Sequence, residues 1–272
     1  MTNTSPPRVT VGLADAEESD LAVRWAARHA QHIGGTLHLL HAFMWTELDV
    51  DTDPIPGMVG SGIRQAAQTL VKEAVAIARA EVPDLEITSE VVDGNAVPVL
   101  VAGSTGSEVM VVGGRGLGRL MTLVVGSKSL ALAARAHCPV VVVRGHLGEE
   151  GPIGVVYDGT TAVALERAAD LAAAYDRDLH LILRADTAAD AAESIRVEVA
   201  ERLALRHPGV FVRGVTVAAT ESAKELIRAS EDAALIVVAG EHAKGPDGPI
   251  SAPRRLVTVL RYAHAPVWIE RA

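Results

Sequence analysis

Aromatic side chains are scarce in this chain of 272 residues, at 3% of the total. That is too few for a surface on which nucleic-acid bases could stack. Basic residues are not in excess either: the formal net charge is −9, so no dominant cationic face is expected for a phosphate backbone. A nucleotide stays open, since one local site suffices. The single cysteine, Cys138, excludes an intrachain disulfide. Its place before Pro139, at the head of an apolar run, fits a buried structural thiol. No apolar stretch approaches the roughly 18–20 residues of a membrane span, and residues 1–7 are polar, without a secretory signal's apolar segment. A cytoplasmic protein with no membrane and no nucleic-acid partner is the expectation.

Enzymatic signatures are missing as well. There is no G-x-x-x-x-G-K-[S/T], which excludes a P-loop. His29 and His32 can share a helix face but have no third ligand nearby, and His38 and His41 are spaced to point to opposite faces of a strand. No Ser-His-Asp arrangement has support beyond residue types. His32-Ile33-Gly34-Gly35 is superficially similar to a nucleotidyl-transfer motif, but it falls at the end of a helical pattern, where the dipole favours histidine.

What is present begins with glycine. The apolar run Val109-Met110-Val111-Val112 reads as a buried strand, and Gly113, Gly116 and then Gly126-Ser127 follow it. Glycine lets a ligand approach the backbone, and a helix opening at Ser127 offers free N–H groups and positive dipole charge. The same glycines could instead serve only a strand-to-helix connection, and on local grounds the two readings stand even.

The chain also repeats itself. Leu37-His38-Leu39-Leu40 returns as Leu179-His180-Leu181-Ile182, Val111-Val112-Gly113-Gly114 as Val237-Val238-Ala239-Gly240, and Ala136-His137-Cys138-Pro139 as Ala263-His264-Ala265-Pro266. The second copy is about 16 residues shorter, the deficit matching the Pro-, Gly- and Asp-rich stretch from Trp45 to Gly62. In the first copy, strands are expected near 8–13, 36–43, 86–92, 109–113 and 140–144, and helices near 19–32, 63–80, 96–104 and 127–137. Apolar strands alternating with helices predict two tandem doubly wound, Rossmann-like α/β units over residues 8–146 and 150–272. Each would hold a five-stranded, mainly parallel sheet with helices on both faces. Ligands are expected beyond the carboxyl ends of the strands.

With the glycine loop placed after a fourth strand, the chain resembles the universal stress proteins, and specifically their tandem form. The signature G-x-x-G-x9-G-[S/T] is met by Gly113, Gly116, Gly126 and Ser127; Leu21 to Ala27 and the closing strands Cys138 to Val143 and Ala265 to Ile269 also fit. The resemblance implies a non-enzymatic stress or regulatory protein that binds ATP, with or without Mg2+, and is at most a slow incidental ATPase. It implies that the signature holds ribose and phosphates, that Ala42 meets adenine through its backbone, and that closing strands pair, within the chain or in a homodimer. The candidate site is then Leu13, Asp15, Ala42, Val112, Gly113, Arg115, Gly116, Gly126, Ser127, Lys128 and Ser129. Arg115 is as well read as a solvent-facing arginine.

Two departures matter. The acidic residue that the family carries after its first strand falls on Ala14; Asp15 follows it, and reads better as an exposed loop carboxylate beside Glu17 and Glu18 than as its replacement. The second copy keeps Tyr157-Asp158-Gly159-Thr160, but Pro253 and Arg254 stand where Gly126 and Ser127 should be. Proline removes a donor there, so the second copy is expected to bind no nucleotide. The alternative to a nucleotide binder is a nucleotide-free scaffold that acts through dimerisation and partner binding.

Overall fold

Runs of valine, leucine and isoleucine too short for helices become strands, ten among the described residues together with seven helices, in a computed structural model. It describes residues 5–14, 16–43, 61–114, 127–145, 147, 150–157, 162–184, 188–218, 231–240 and 254–271. Contacts divide the chain into two compact units, Met1–Arg119 with Arg135–Cys138, and Leu120–Ala134 with Pro139–Ala272.

In the first unit, β1 (Arg8–Leu13), α1 (Ala16–His32), β2 (Thr36–Phe43), α2 (Ser61–Glu81), β3 (Ile87–Asp93), α3 (Ala96–Gly103) and β4 (Val109–Gly113) follow in turn. The strands are parallel in the order β3-β2-β1-β4. Every residue of β4 is buried, which explains why it reads as an unbroken apolar run, and β1 is buried from Val9 onward. The inner face of α1 is Ala22, Val23, Ala26, Ala27 and Ala30, all fully buried, and these small side chains let the helix lie close to the sheet. Gly12 admits α3 on β1: a Cβ there would meet Leu100 at 2.7 Å.

The helix α1 stops at glycine for a conformational reason. Gly34 has φ of 61°, and the amides of Gly34 and Gly35 return to the carbonyls of Gln31 and Ala30. This is a left-handed helix terminus, so the His-Ile-Gly-Gly sequence ends a helix.

Beyond this sheet the chain continues through α4 (Ser127–Arg135) and β5 (Val140–Val143) into β6 (Ile153–Val156), α5 (Ala162–Tyr175), β7 (Leu179–Arg184), α6 (Ala189–Ala204), β8 (Val212–Ala218), β9 (Leu235–Gly240), α7 (Arg254–Tyr262) and β10 (Val267–Arg271). The second unit's strands run β5-β10-β9-β6-β7-β8, all parallel except that β5 opposes β10, with Val142 facing Val267 and Val140 facing Ile269. By contacts β5 therefore belongs to the second unit, although it closes the first copy in sequence.

Charge fastens the helices of the first unit. Glu81 at the end of α2 accepts hydrogen bonds from Arg24, at 3.0 Å, and from Arg28, both on α1. Burial pushes its carboxyl up, but those two guanidinium groups outweigh burial and hold it below its ordinary value. The folded form thus binds fewer protons than the unfolded chain near that range. The stabilisation is complete above the unfolded pKa of about 4.3 and is lost as pH falls through the lower folded value. In urea titrations, the stability difference between the parent and Glu81→Gln should be constant from neutral pH to about pH 5 and shrink below about pH 4. A difference unchanged at acid pH would refute this account.

Candidate functional site

The order β3-β2-β1-β4 reverses direction between β1 and β4, because the chain leaves β1 towards β2 and later returns across it to β4. A crevice opens beyond the carboxyl ends of two strands whose connections diverge in this way. Gly12 pairs with Val112, so Leu13 and Gly113 end adjacent strands. Leu13, Val112 and Gly113 are buried; Ala42, near the end of β2, is half-buried. The structure thus brings Leu13, Ala42, Val112 and Gly113 to one edge of the first unit.

Two polar contacts shape this edge. The Ala14 amide donates to the Ser19 hydroxyl at 3.1 Å, which ties the turn after β1 to the first helix. His41 Nδ1 lies 3.0 Å from the Leu13 carbonyl. A carbonyl can only accept, so the ring nitrogen donates and the proton sits on Nδ1. The spacing of the sequence did not single out Ser19 or His41 for these roles. A serine near a helix start is the only cue to the first; nothing local announces the second.

Ser127, Lys128 and Ser129 form the first turn of α4, and Ser129 is buried. Most of that helix is counted by contacts with the second unit. Asp15, Arg115, Gly116 and Gly126 lie outside the described residues. Cys138 is buried and reduced, in keeping with a packing role. Among the described residues, no group of three or more His, Cys, Asp or Glu is placed to hold a metal ion.

Strand registers show how the second unit departs from the first. Val9 pairs with Leu37, and Ile153 pairs with Leu179. Val9 therefore corresponds to Ile153, Leu13 to Tyr157, and Ala14 to Asp158 in chain order. On the other side Val9 pairs with Val109 and Ile153 with Leu235, which makes Ala239 the counterpart of Gly113. The copy with the glycines lacks the acidic residue, and the copy with the acidic residue lacks the glycine. In the second unit Tyr157 is buried, its amide donating to the Ile182 carbonyl at 3.0 Å.

A cleft of about 660 Å³ lies at the opposite edge of the second unit, lined by Asp176, Arg177, Asp178, His180, Phe211 and Arg213 among others. Arg213 Nε is 2.7 Å from Asp178, and burial holds the His180 imidazole below its usual value. Charges of both signs line it, so it presents no unbalanced cationic surface for a phosphate.

The sequence model of the universal stress protein family matches residues 7–144. Two universal stress proteins of Mycobacterium tuberculosis, Rv2623 and Rv2005c, are each 31% identical to this chain, over 97% of it and 96% of their own length. The crystal structure of a universal stress protein from Archaeoglobus fulgidus is similar in fold, with a TM-score of 0.74, 18% identity, and coverage of 98% of this chain and 97% of that one. The family match and the full-length similarity to these relatives agree with the repeat read in the sequence: the chain belongs to the universal stress protein family, with two copies of its module in tandem.

Proposed function

We propose that the protein binds one adenine nucleotide, ATP with or without Mg2+, in its first copy, and acts as a regulatory stress protein of the cytoplasm rather than as an enzyme. The observation that carries this reading is the reversal of strand order between β1 and β4, which sets Leu13 and Gly113 at the ends of adjacent strands. Leu13, Ala42 and Val112 would border the base and ribose. The chain that leaves Gly113 would supply Arg115, Gly116 and Gly126 to the phosphates, and Ser127, Lys128 and Ser129 would offer helix-terminal N–H groups. Asp15 is the carboxylate nearest in sequence to the adenosine side. A bound nucleotide would supply negative charge and a bulky ligand whose binding energy shifts conformation or assembly. Any hydrolysis would be slow and incidental. The antiparallel pairing of β5 with β10 supports closure between the repeats within one chain, and the same closing strands would serve a homodimer.

A specific observation favours a second reading, in which the protein is a nucleotide-free scaffold. Ala14 offers no carboxylate, and its amide is already tied to Ser19. Restoring the acidic residue separates the two. A hydrogen bond of about 0.5–1.5 kcal/mol corresponds to at most about tenfold in affinity. Ala14→Asp should therefore tighten ATP binding several-fold in calorimetric titration. If neither the parent nor Ala14→Asp binds ATP, the scaffold reading stands.

A further inference from the structure

The two helix pairs that cover corresponding faces of the repeats carry opposite charge patterns. Equivalence between them follows from the backbone. Gly34 and Asp176 both have positive φ, 61° and 53°, and the amides after them return to Ala30 and Ala172. The end of α1 thus corresponds to the end of α5, Arg24 to Glu166, and Arg28 to Asp170. Likewise the Val82 amide returns to Ala78 and the His207 amide to Leu203, while Leu37 pairs with Ile87 and Leu179 with Val212. The end of α2 corresponds to the end of α6, and Glu81 to Arg206.

All three positions are inverted. In the first unit α1 is the cationic partner: Arg24 and Arg28 both pair with Glu81 of α2. In the second unit the first helix is the anionic partner. Glu166 of α5 accepts from Arg202 at 2.9 Å and from Arg206 at 3.0 Å, both from the end of α6, and Asp170 lies 3.4 Å from His207. Pairs as exposed as these stabilise a fold only slightly. Their sign pattern, however, discriminates sharply between partners. Were α1 to pack on α6, Arg24 and Arg28 would face Arg202 and Arg206. Were α5 to pack on α2, Glu166 and Asp170 would face Glu81.

We infer that this inversion keeps the helices of the two repeats from exchanging partners during folding, within a chain or between two copies of it. Two modules of one fold in a single chain are prone to misassembly of this kind, since their apolar faces are interchangeable. The small buried side chains Ala22, Val23 and Ala26 of α1 and Ala164, Leu165 and Ala168 of α5 are much alike and carry little information about which sheet is their own. The charged rim supplies it. This role is independent of nucleotide binding.

The test copies one unit's signs into the other. The full chain is unfolded in urea and refolded by dilution at low salt, and the fraction that elutes as the never-unfolded parent does is read by size-exclusion chromatography. Arg24→Glu, Arg28→Asp and Glu81→Arg, with Asp20→Ala to remove the acid that pairs with Arg24 in the parent, together give both helix pairs the same pattern while keeping each pair attractive. This variant should refold to the native species about threefold to tenfold less than the parent, with the loss appearing as larger oligomers and aggregate, the range expected for several like-charge contacts. High salt should narrow the difference by screening. Adding Glu166→Arg, Asp170→Arg, Arg202→Ile and Arg206→Glu makes the units opposite again and should restore the parental yield. Parental yield in the first variant overturns the inference. If that variant does not fold at all, the combined variant decides: recovered native species supports the inference, and failure overturns it.

Discussion

Replacing Arg167 by methionine should destabilise the second unit by about 2–4 kcal/mol, among the largest single effects in the molecule. Glu270 is 6% exposed in the closing strand β10. Its carboxylate accepts from Arg167 Nε and from the indole N–H of Trp268, each at 2.9 Å. The guanidinium also lies 5.4 Å from the Trp268 ring centroid. Methionine would keep the apolar stem over the indole but leave a buried carboxylate without its counter-charge. That costs more than losing an exposed pair, because neither water nor another cation reaches it readily. The side chain of Arg167 is 28% exposed, which places the expected loss below that of a fully buried pair. Urea unfolding measures it. Adding Glu270→Gln should recover most of the loss, since the amide oxygen still accepts from Trp268 and carries no charge. A single variant within about 0.5 kcal/mol of the parent, the scatter of ordinary surface changes, would show that the cluster holds nothing together.

The second large effect concerns ligand binding. Gly116→Asp and Gly126→Asp together should weaken ATP binding by about a hundredfold or more, near 3 kcal/mol. Each places a carboxylate in the loop that the proposed site offers to phosphates, and aspartate also limits the backbone freedom that glycine gives there. Because both residues fall in sequence between β4 and α4, the folded state should survive, which circular dichroism and thermal unfolding check. A folded double variant that binds ATP as well as the parent would remove the nucleotide from this loop.

Much of the architecture was legible because it rests on local pattern. The strand bounds 8–13, 36–43 and 109–113 agree with β1, β2 and β4, since each is a short, largely apolar segment. The start of α1 was less legible. Ser19 looks like a helix opening, yet the helix begins at Ala16 and the serine hydroxyl reaches back to the Ala14 amide. Four consecutive valines made β5 obvious as a strand but carried no information about its partner; that the closing strands pair came from the family resemblance alone, and the antiparallel register with β10 from the structure.

Long-range polar contacts were the least legible. Arg167 and Glu270 are 103 residues apart, and neither lies in a motif. The charge inversion between helix pairs likewise needs strand registers to match Arg24 with Glu166 and Glu81 with Arg206. At the candidate site, strand ends placed Leu13, Ala42, Val112 and Gly113 in advance, because parallel register carries them to one edge. The side-chain bonds that set the turn after β1 depend on tertiary proximity, as with His41 and the Leu13 carbonyl.

The central claim is a working nucleotide site in the first copy despite Ala14. Isothermal titration of the nucleotide-stripped full chain with ATP and Mg2+ tests it most directly. The account predicts one site per chain with a dissociation constant in the micromolar range, about −8 kcal/mol. No heat, and no thermal stabilisation at millimolar ATP, would contradict it and leave the glycine loop as a connection between β4 and α4.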